Sequence, residues 1–211
     1  MPGKKLIWAV LSDLGRVVVD FDNRKACTAL ALHTPGRTAE ELHWMIFEAD
    51  YRHLWNACMS GHLAYPEYRK VMKNTFAMTC DDETFDRAIS DVFTVNQPIV
   101  DLWRQVRRRH TRVITASNIE PVRHRQLEAM EVMNEFDAHC LSYQVMASKP
   151  QPEFFRRGLA IAGTEPDEAL FVDDHEEFCE AARTVGMNAE VYNIRDHDNF
   201  VARVRERYLF A

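Results

Sequence analysis

The chain has 211 residues, 46% of them hydrophobic and 27% charged, with a formal net charge of −6. That length suits one domain, or a core with a smaller insertion, and is enough to bury a real core; the acidic balance gives no support for nucleic-acid binding. The five cysteines, Cys27, Cys58, Cys80, Cys140 and Cys179, show neither paired nor CxxC spacing, which argues for free thiols in a reducing compartment and against disulfides or a zinc site.

Leu6 to Leu11 is a largely apolar run that reaches Ser12 and a single carboxylate, Asp13. Such a run suits a strand buried on both faces of a parallel sheet, and Asp13 then projects from its carboxyl end, where open α/β sheets place their ligands. A plain strand followed by a polar turn, with Asp13 as its cap, fits the run equally well. Lys4-Lys5 ahead of it resembles the start of a secretion signal, but the run is too short and no small-residue cleavage site follows. No segment approaches the roughly 18 apolar residues of a membrane span. The expected location is the cytoplasm, with no membrane partner, and no expectation about oligomeric state follows.

A second apolar run, Val17 to Val19, ends at Asp20 and Asp22. Residues 23–96 then contain no strand-like run but several helical stripes. Leu42, Ile46 and Ala49 form one and Leu54, Ala57 and Cys58 follow. Tyr68, Val71, Met72 and Phe76 form another, and Phe85, Ile89, Val92 and Phe93 a third. These residues are expected to fold as a small helical domain inserted in a core made of residues 1–22 and 97–211.

The remainder alternates. Helices are predicted over 98–109, 121–133, 152–162, 176–185 and 199–208, and strands over 111–116, 140–141, 169–172 and 189–192. This alternation implies a doubly wound parallel sheet, an α/β fold. Arg107-Arg108-Arg109 ends the first of these helices, where cations complement the dipole.

Four polar sites fall just after predicted strands: Asp13, Ser117-Asn118, Lys149 and Asp173-Asp174. In a doubly wound sheet these ends share one edge. Together they are a carboxylate nucleophile, a hydroxyl at a helix entrance, a cation and a carboxylate pair, the parts needed for phosphoryl transfer. A carboxylate can accept a phosphoryl group and divide one hard step into two. Mg²⁺ favours a few carboxylates with water and substrate oxygens, which Asp13 with Asp174 or Asp173 can supply. Ser117 and the helix after it can donate to phosphate oxygens, and Lys149 can neutralise charge on the transferring group.

The motifs VLSDLGRVVVD, VITASN, SKP (Ser148-Lys149-Pro150) and LFVDD resemble, in order and spacing, those of the haloacid dehalogenase-like superfamily of hydrolases. The helical segment 23–96 lies where that family carries its cap. The form DLGxVxxDxD is most similar to bacterial phosphatases of glucose 1-phosphate and related sugar phosphates. The resemblance implies Asp13 as nucleophile and Mg²⁺ ligand, the Gly15 carbonyl and Asp174 as further ligands, and Asp173 as support. It implies Ser117, Asn118 and the Gly15 turn as phosphate-binding, and Lys149 orienting phosphate and Asp13. The substrate would be a small phosphorylated metabolite.

Three positions depart from that pattern. Gly15 stands where most phosphatases of the superfamily have an aspartate that protonates the leaving group, and glycine cannot transfer a proton. Asp20 or Asp22 could contribute through water, and a sugar 1-phosphate, whose anomeric hydroxyl leaves easily, would suffer least. Ser12 replaces a usual Phe, and Phe178 a usual Asn, with His175, Glu176 or Glu177 as substitutes; Arg16 beside the turn could bind an anion or block entry. Two alternatives follow: a metal-independent 2-haloacid dehalogenase, against which the pair Asp173-Asp174 argues, and a catalytically degenerate binding protein. His43, Trp44, Tyr51, Arg52 and Trp55 are the candidate pocket residues of the insertion.

Overall fold

A computed structural model describes residues 4–211. The apolar run at the start divides at Trp8 into two strands, β1 (Lys5–Ile7) and β2 (Ala9–Ser12). A third strand, β3 (Val19–Phe21), leads into five α-helices, α1 (Asn23–Ala31), α2 (Ala39–His43), α3 (Arg52–Met59), α4 (Tyr65–Thr75) and α5 (Asp82–Ser90), with a π-helical segment, Trp44–Glu48, continuing α2. The chain returns through β4 (Phe93–Val95) and α6 (Gln97–Arg107) to β5 (Arg112–Ser117), α7 (Pro121–Ala129) and β6 (Ala138–Leu141). It ends with α8 (Ser142–Val145), α9 (Pro152–Ala162), β7 (Ala169–Asp173), α10 (Glu176–Thr184), β8 (Asn188–Val191), α11 (His197–Arg207) and β9 (Tyr208–Phe210).

Five parallel strands form the central sheet in the order β6-β5-β2-β7-β8. The chain winds outward from β2 in both directions, so β2 stands at the topological switch point and its carboxyl end opens into a crevice. The expected doubly wound parallel sheet is present. Its strands alternate their side chains between two apolar layers. Val10, Val113 and Leu170 face a layer with Trp103 of α6 and Phe200 of α11. Ala9, Leu11, Ile114 and Phe171 face the other, with Phe154 and Phe155 of α9 and Cys179 of α10. Helix α9 lies so close to β2 that a Cβ at Gly158 would come within 2.8 Å of Leu11 Cδ2.

The inserted helices bury a separate apolar cluster that includes Leu30, Ile46, Trp55, Tyr68 and Phe85. Both ends of the insertion meet in the antiparallel pair β3–β4, with Phe21 opposite Phe93 and Val19 opposite Val95. This pair corrects the helical reading of Phe93, and Val92 falls in the turn before it: a three-residue strand has no periodicity of its own and is fixed by its partner.

Three further boundaries differ from the expected ones. Helix α7 stops at Ala129, because Glu131 takes a left-handed φ of 60° before a short 3₁₀ turn, Val132–Glu135. The one-turn helix α8 occupies what reads as loop, and β9, paired in parallel with β1, follows α11 where helix is expected to end. All five cysteines are free and buried. Among the described residues no helix is long and apolar enough to cross a membrane.

Candidate active site

Asp13 is the first residue beyond β2, and its N–H donates to Val172 O of β7 at 2.8 Å, which ties its backbone to the neighbouring strand. Lys149 reaches it from the loop before α9. The Lys149 ammonium is buried, 2.8 Å from Asp13 Oδ1 and 2.5 Å from Asp173 Oδ2. Asn118 fixes the lysine backbone with two bonds: its Nδ2 donates to Lys149 O at 3.0 Å and its Oδ1 accepts from Lys149 N–H at 2.9 Å. The Asn118 side chain is therefore engaged with the protein. Ser117, at the end of β5, is buried beside Asp13.

The electrostatics divide the carboxylates. Burial pushes the Asp13 carboxyl up to about 6, although Lys149 and the Ser117 hydroxyl pull it down. Burial acts the same way on Asp173, but there Lys149 and His175 outweigh it and hold the carboxyl low. Asp174 is raised, chiefly by burial. His175 N–H donates to Asp173 Oδ1 at 2.9 Å, and its ring Nδ1 lies 2.9 Å from Asp174 Oδ1. These carboxylates raise the imidazole to about 9. Ligand atoms of Asp173, Asp174 and His175 all lie within 4.8 Å of one another.

The donor set suits a hard divalent cation. Asp13 Oδ1 is buried and, despite its closeness to the ammonium, has no hydrogen-bond donor in acceptable geometry. Asp173 is already committed, one oxygen to Lys149 and the other to His175 N–H. Asp13 and Asp174 offer the carboxylate oxygens left for a cation, and Gly15 borders the same cavity.

The three departures in sequence have local explanations. The Ser12 hydroxyl donates to Asp13 O at 2.9 Å and accepts the Trp103 indole N–H at 3.1 Å, so it supports the backbone of Asp13 from below. Phe178 places its ring 5.2 Å from the Lys149 ammonium, a cation–π contact. A Cβ at Gly15 would come to 3.0 Å from the Phe21 ring, so an aspartate there would need the ring to give way slightly.

Above this floor opens a cavity of about 570 Å³, roofed by the insertion. Asp13, Gly15, Ser117, Asn118, Lys149 and Asp174 all border it, as do Arg16, His175 and Glu177. Of the candidate pocket residues Arg52 and Trp55 line it, and His43, Trp44 and Tyr51 do not. Asp20 and Asp22 are also outside its lining: Asp20 pairs with Arg16 at 3.1 Å and Asp22 caps α1. Sequence reasoning passed over Glu120 and Arg123, which border the cavity from α7 and the residue before it. Arg123 is buried between core and insertion, donating to Ile89 O at 3.1 Å and Asn23 Oδ1 at 2.6 Å, with its guanidinium 4.8 Å from the Trp55 ring. A charged residue on a polar helix gives no sequence signal of such burial.

The sequence profile of haloacid dehalogenase-like hydrolases matches residues 63–191, more than half of the chain. The chain belongs to that family. Among solved structures, this HAD-like hydrolase is similar to a HAD family enzyme from Bacteroides thetaiotaomicron, at 21% identity and a TM-score of 0.78, covering 90% of this chain and 95% of that one. A second structure of that enzyme, wild type in complex with magnesium and inorganic phosphate, aligns at 23% identity and a TM-score of 0.74, covering 91% and 96%. L-2-haloacid dehalogenase from Xanthobacter autotrophicus aligns at 18% identity and a TM-score of 0.64, covering 97% and 84%. At these identities the likeness is one of fold. No curated protein matches the chain.

Proposed function

We propose that this HAD-like hydrolase is a Mg²⁺-dependent phosphatase of small phosphorylated metabolites. The observation that carries the reading is the buried ammonium of Lys149 held between Asp13 and Asp173 at the floor of the cavity. Asp13 attacks phosphorus and takes the phosphoryl group as an aspartyl-phosphate, which water then hydrolyses. Lys149 orients Asp13 and faces the charge of the transferring group. Asp173 holds Lys149, and the Ser117 hydroxyl with the Asn118 backbone N–H binds phosphate oxygens, since the Asn118 amide is engaged by Lys149. Mg²⁺, held by Asp13, the Gly15 carbonyl and Asp174, would supply charge neutralisation to the phosphate. The magnesium and phosphate bound to the Bacteroides enzyme support this assignment. The insertion over 23–96 acts as the cap that closes the cavity and selects the leaving group.

With glycine at position 15 no carboxyl follows Asp13 to protonate the leaving oxygen. Leaving groups that depart easily, such as the anomeric oxygen of a sugar 1-phosphate, fit this site better than alkyl alcohols. The same glycine favours one other reading, a 2-haloacid dehalogenase, because halide leaves without a proton; the dehalogenase likeness is consistent with it. Phosphate release from a panel of sugar phosphates, with Mg²⁺ and with EDTA, tests both. Turnover that needs the metal and is abolished in Asp13→Asn supports the phosphatase. Silence across the panel, together with EDTA-resistant halide release from 2-haloacids, replaces it with the dehalogenase.

A further inference from the structure

A second cavity of about 450 Å³ lies away from Asp13, where α6, α11 and β9 meet. Its volume falls within the roughly 300–1,000 Å³ typical of small-molecule sites. Leu102 and Val106 of α6, Val204 of α11 and Phe210 of β9 supply an apolar floor, and Leu209, half exposed, extends it to the rim. Val201, Tyr208 and Gln105 also border it, and the charged residues at its rim are all basic: Lys4, Arg108, Arg109 and Arg205.

The charge at this rim is unbalanced. Among the described residues bordering the cavity none is acidic, in a chain whose acids outnumber its Lys and Arg by 32 to 26. Lys4 is engaged, donating from Nζ to Arg205 O at 2.7 Å. Arg107, next in the same run, pairs with Asp137 at 2.7 Å. By contrast, among the described residues the guanidiniums of Arg108, Arg109 and Arg205 make no ion pair within 4.0 Å. The carboxyl ends of α6 and α11 draw cations, but each carries only about half a negative charge. Two such ends leave most of the charge of three guanidiniums uncompensated. Guanidinium groups over an apolar floor complement a ligand with an anionic head and an apolar body.

We propose that this groove binds a small amphipathic anion, an apolar chain ending in a carboxylate or phosphate. Isothermal titration of the full chain with decanoate and with decyl phosphate tests it. Saturable 1:1 binding of either, weakened about tenfold in Arg108→Gln/Arg109→Gln/Arg205→Gln, is expected. Decanol, with the same chain and no charge, should bind more weakly by a similar factor. Val201→Trp, which adds bulk to the groove lining while keeping all three arginines, should also abolish binding, and circular dichroism verifies that both variants fold. The proposal is overturned if neither amphiphile binds at about 1 mM. Equal binding by the triple variant, or equal affinity for inorganic phosphate, would overturn it too. So would a sedimentation profile showing a dimer that Val201→Trp dissociates, since a second copy of the chain would then fill the groove.

Discussion

Lys149 is a buried cation shared by two carboxylates. Its ammonium is buried between two carboxylates, and burial alone would favour the neutral amine; Asp13 and Asp173 outweigh it and raise the group well above an ordinary lysine. Lys149→Met would leave the Asp13 carboxylate buried without a cation and Asp173 with only the His175 imidazole beside it. Breaking such a buried pair costs about 3–5 kcal/mol, which urea unfolding would register. If phosphoryl transfer depends on the ammonium, phosphate release should fall at least about 100-fold. Arg16 tests the opposite case. It holds a left-handed φ of 58°, which an L side chain adopts at a cost of about 1 kcal/mol. Its ion pair with Asp20 is half exposed and contributes little. Arg16→Gly should therefore raise the unfolding midpoint in urea, by up to about 1 kcal/mol in free energy. A loss of stability would mean that the stacking of Arg16 on Phe21, 4.9 Å away, outweighs the backbone strain.

At the scale of elements, the cavity depends on how the inserted helices sit on the sheet. The last turn of α3 is held to α8, where the Ser142 hydroxyl donates to Met59 O. Gly61, just beyond, has a φ of +78°, and a Cβ there would fall 2.7 Å from Tyr143 O and 2.6 Å from Met146 Sδ. Gly61→Ala thus meets both a left-handed backbone and a close carbonyl, and a loss of about 1–3 kcal/mol in urea unfolding is expected. Elements of this seam were the least legible in sequence. Strands β2, β5 and β7 announce themselves as apolar runs that end in Ser12-Asp13, Ser117-Asn118 and Asp173-Asp174. Those runs place the polar ends along one edge, so the residues around Asp13 could be read from the sequence as one group. Strands β3 and β4 are three residues each and are defined only by pairing across the insertion. Ser12, Phe178 and Arg123 find partners 91, 29 and 34 residues away, in Trp103, Lys149 and Ile89, and no local pattern encodes such contacts.

For the whole molecule, the balance of buried titratable groups sets how stability responds to pH. His124 of α7 and His139 of β6 face each other, with ring centroids 6.4 Å apart. Burial lowers both below the ordinary histidine value. Glu128 opposes the shift in each, while Arg125 adds to it at His124, and His124 adds to it at His139. As the pH falls through about 6.5, the unfolded chain binds protons at these positions while the folded chain resists them. Their contribution is thus fully present above that pH and is lost on acidification, with a slope of at most about 1.4 kcal/mol per pH unit per group. Asp13 works in the other direction. Its carboxyl is raised to about 6, so its contribution is present below the unfolded value of 3.8 and is lost as the pH rises through 6. Wild type alone therefore mixes opposing slopes, and the prediction concerns a difference. Between pH 7.5 and 5.5, urea unfolding of wild type should lose more stability than that of His124→Gln/His139→Gln, measured without divalent cations. Parallel profiles would mean that these two imidazoles accept protons as readily in the folded chain as in the unfolded one, with Tyr143 or Glu128 turning to receive the charge.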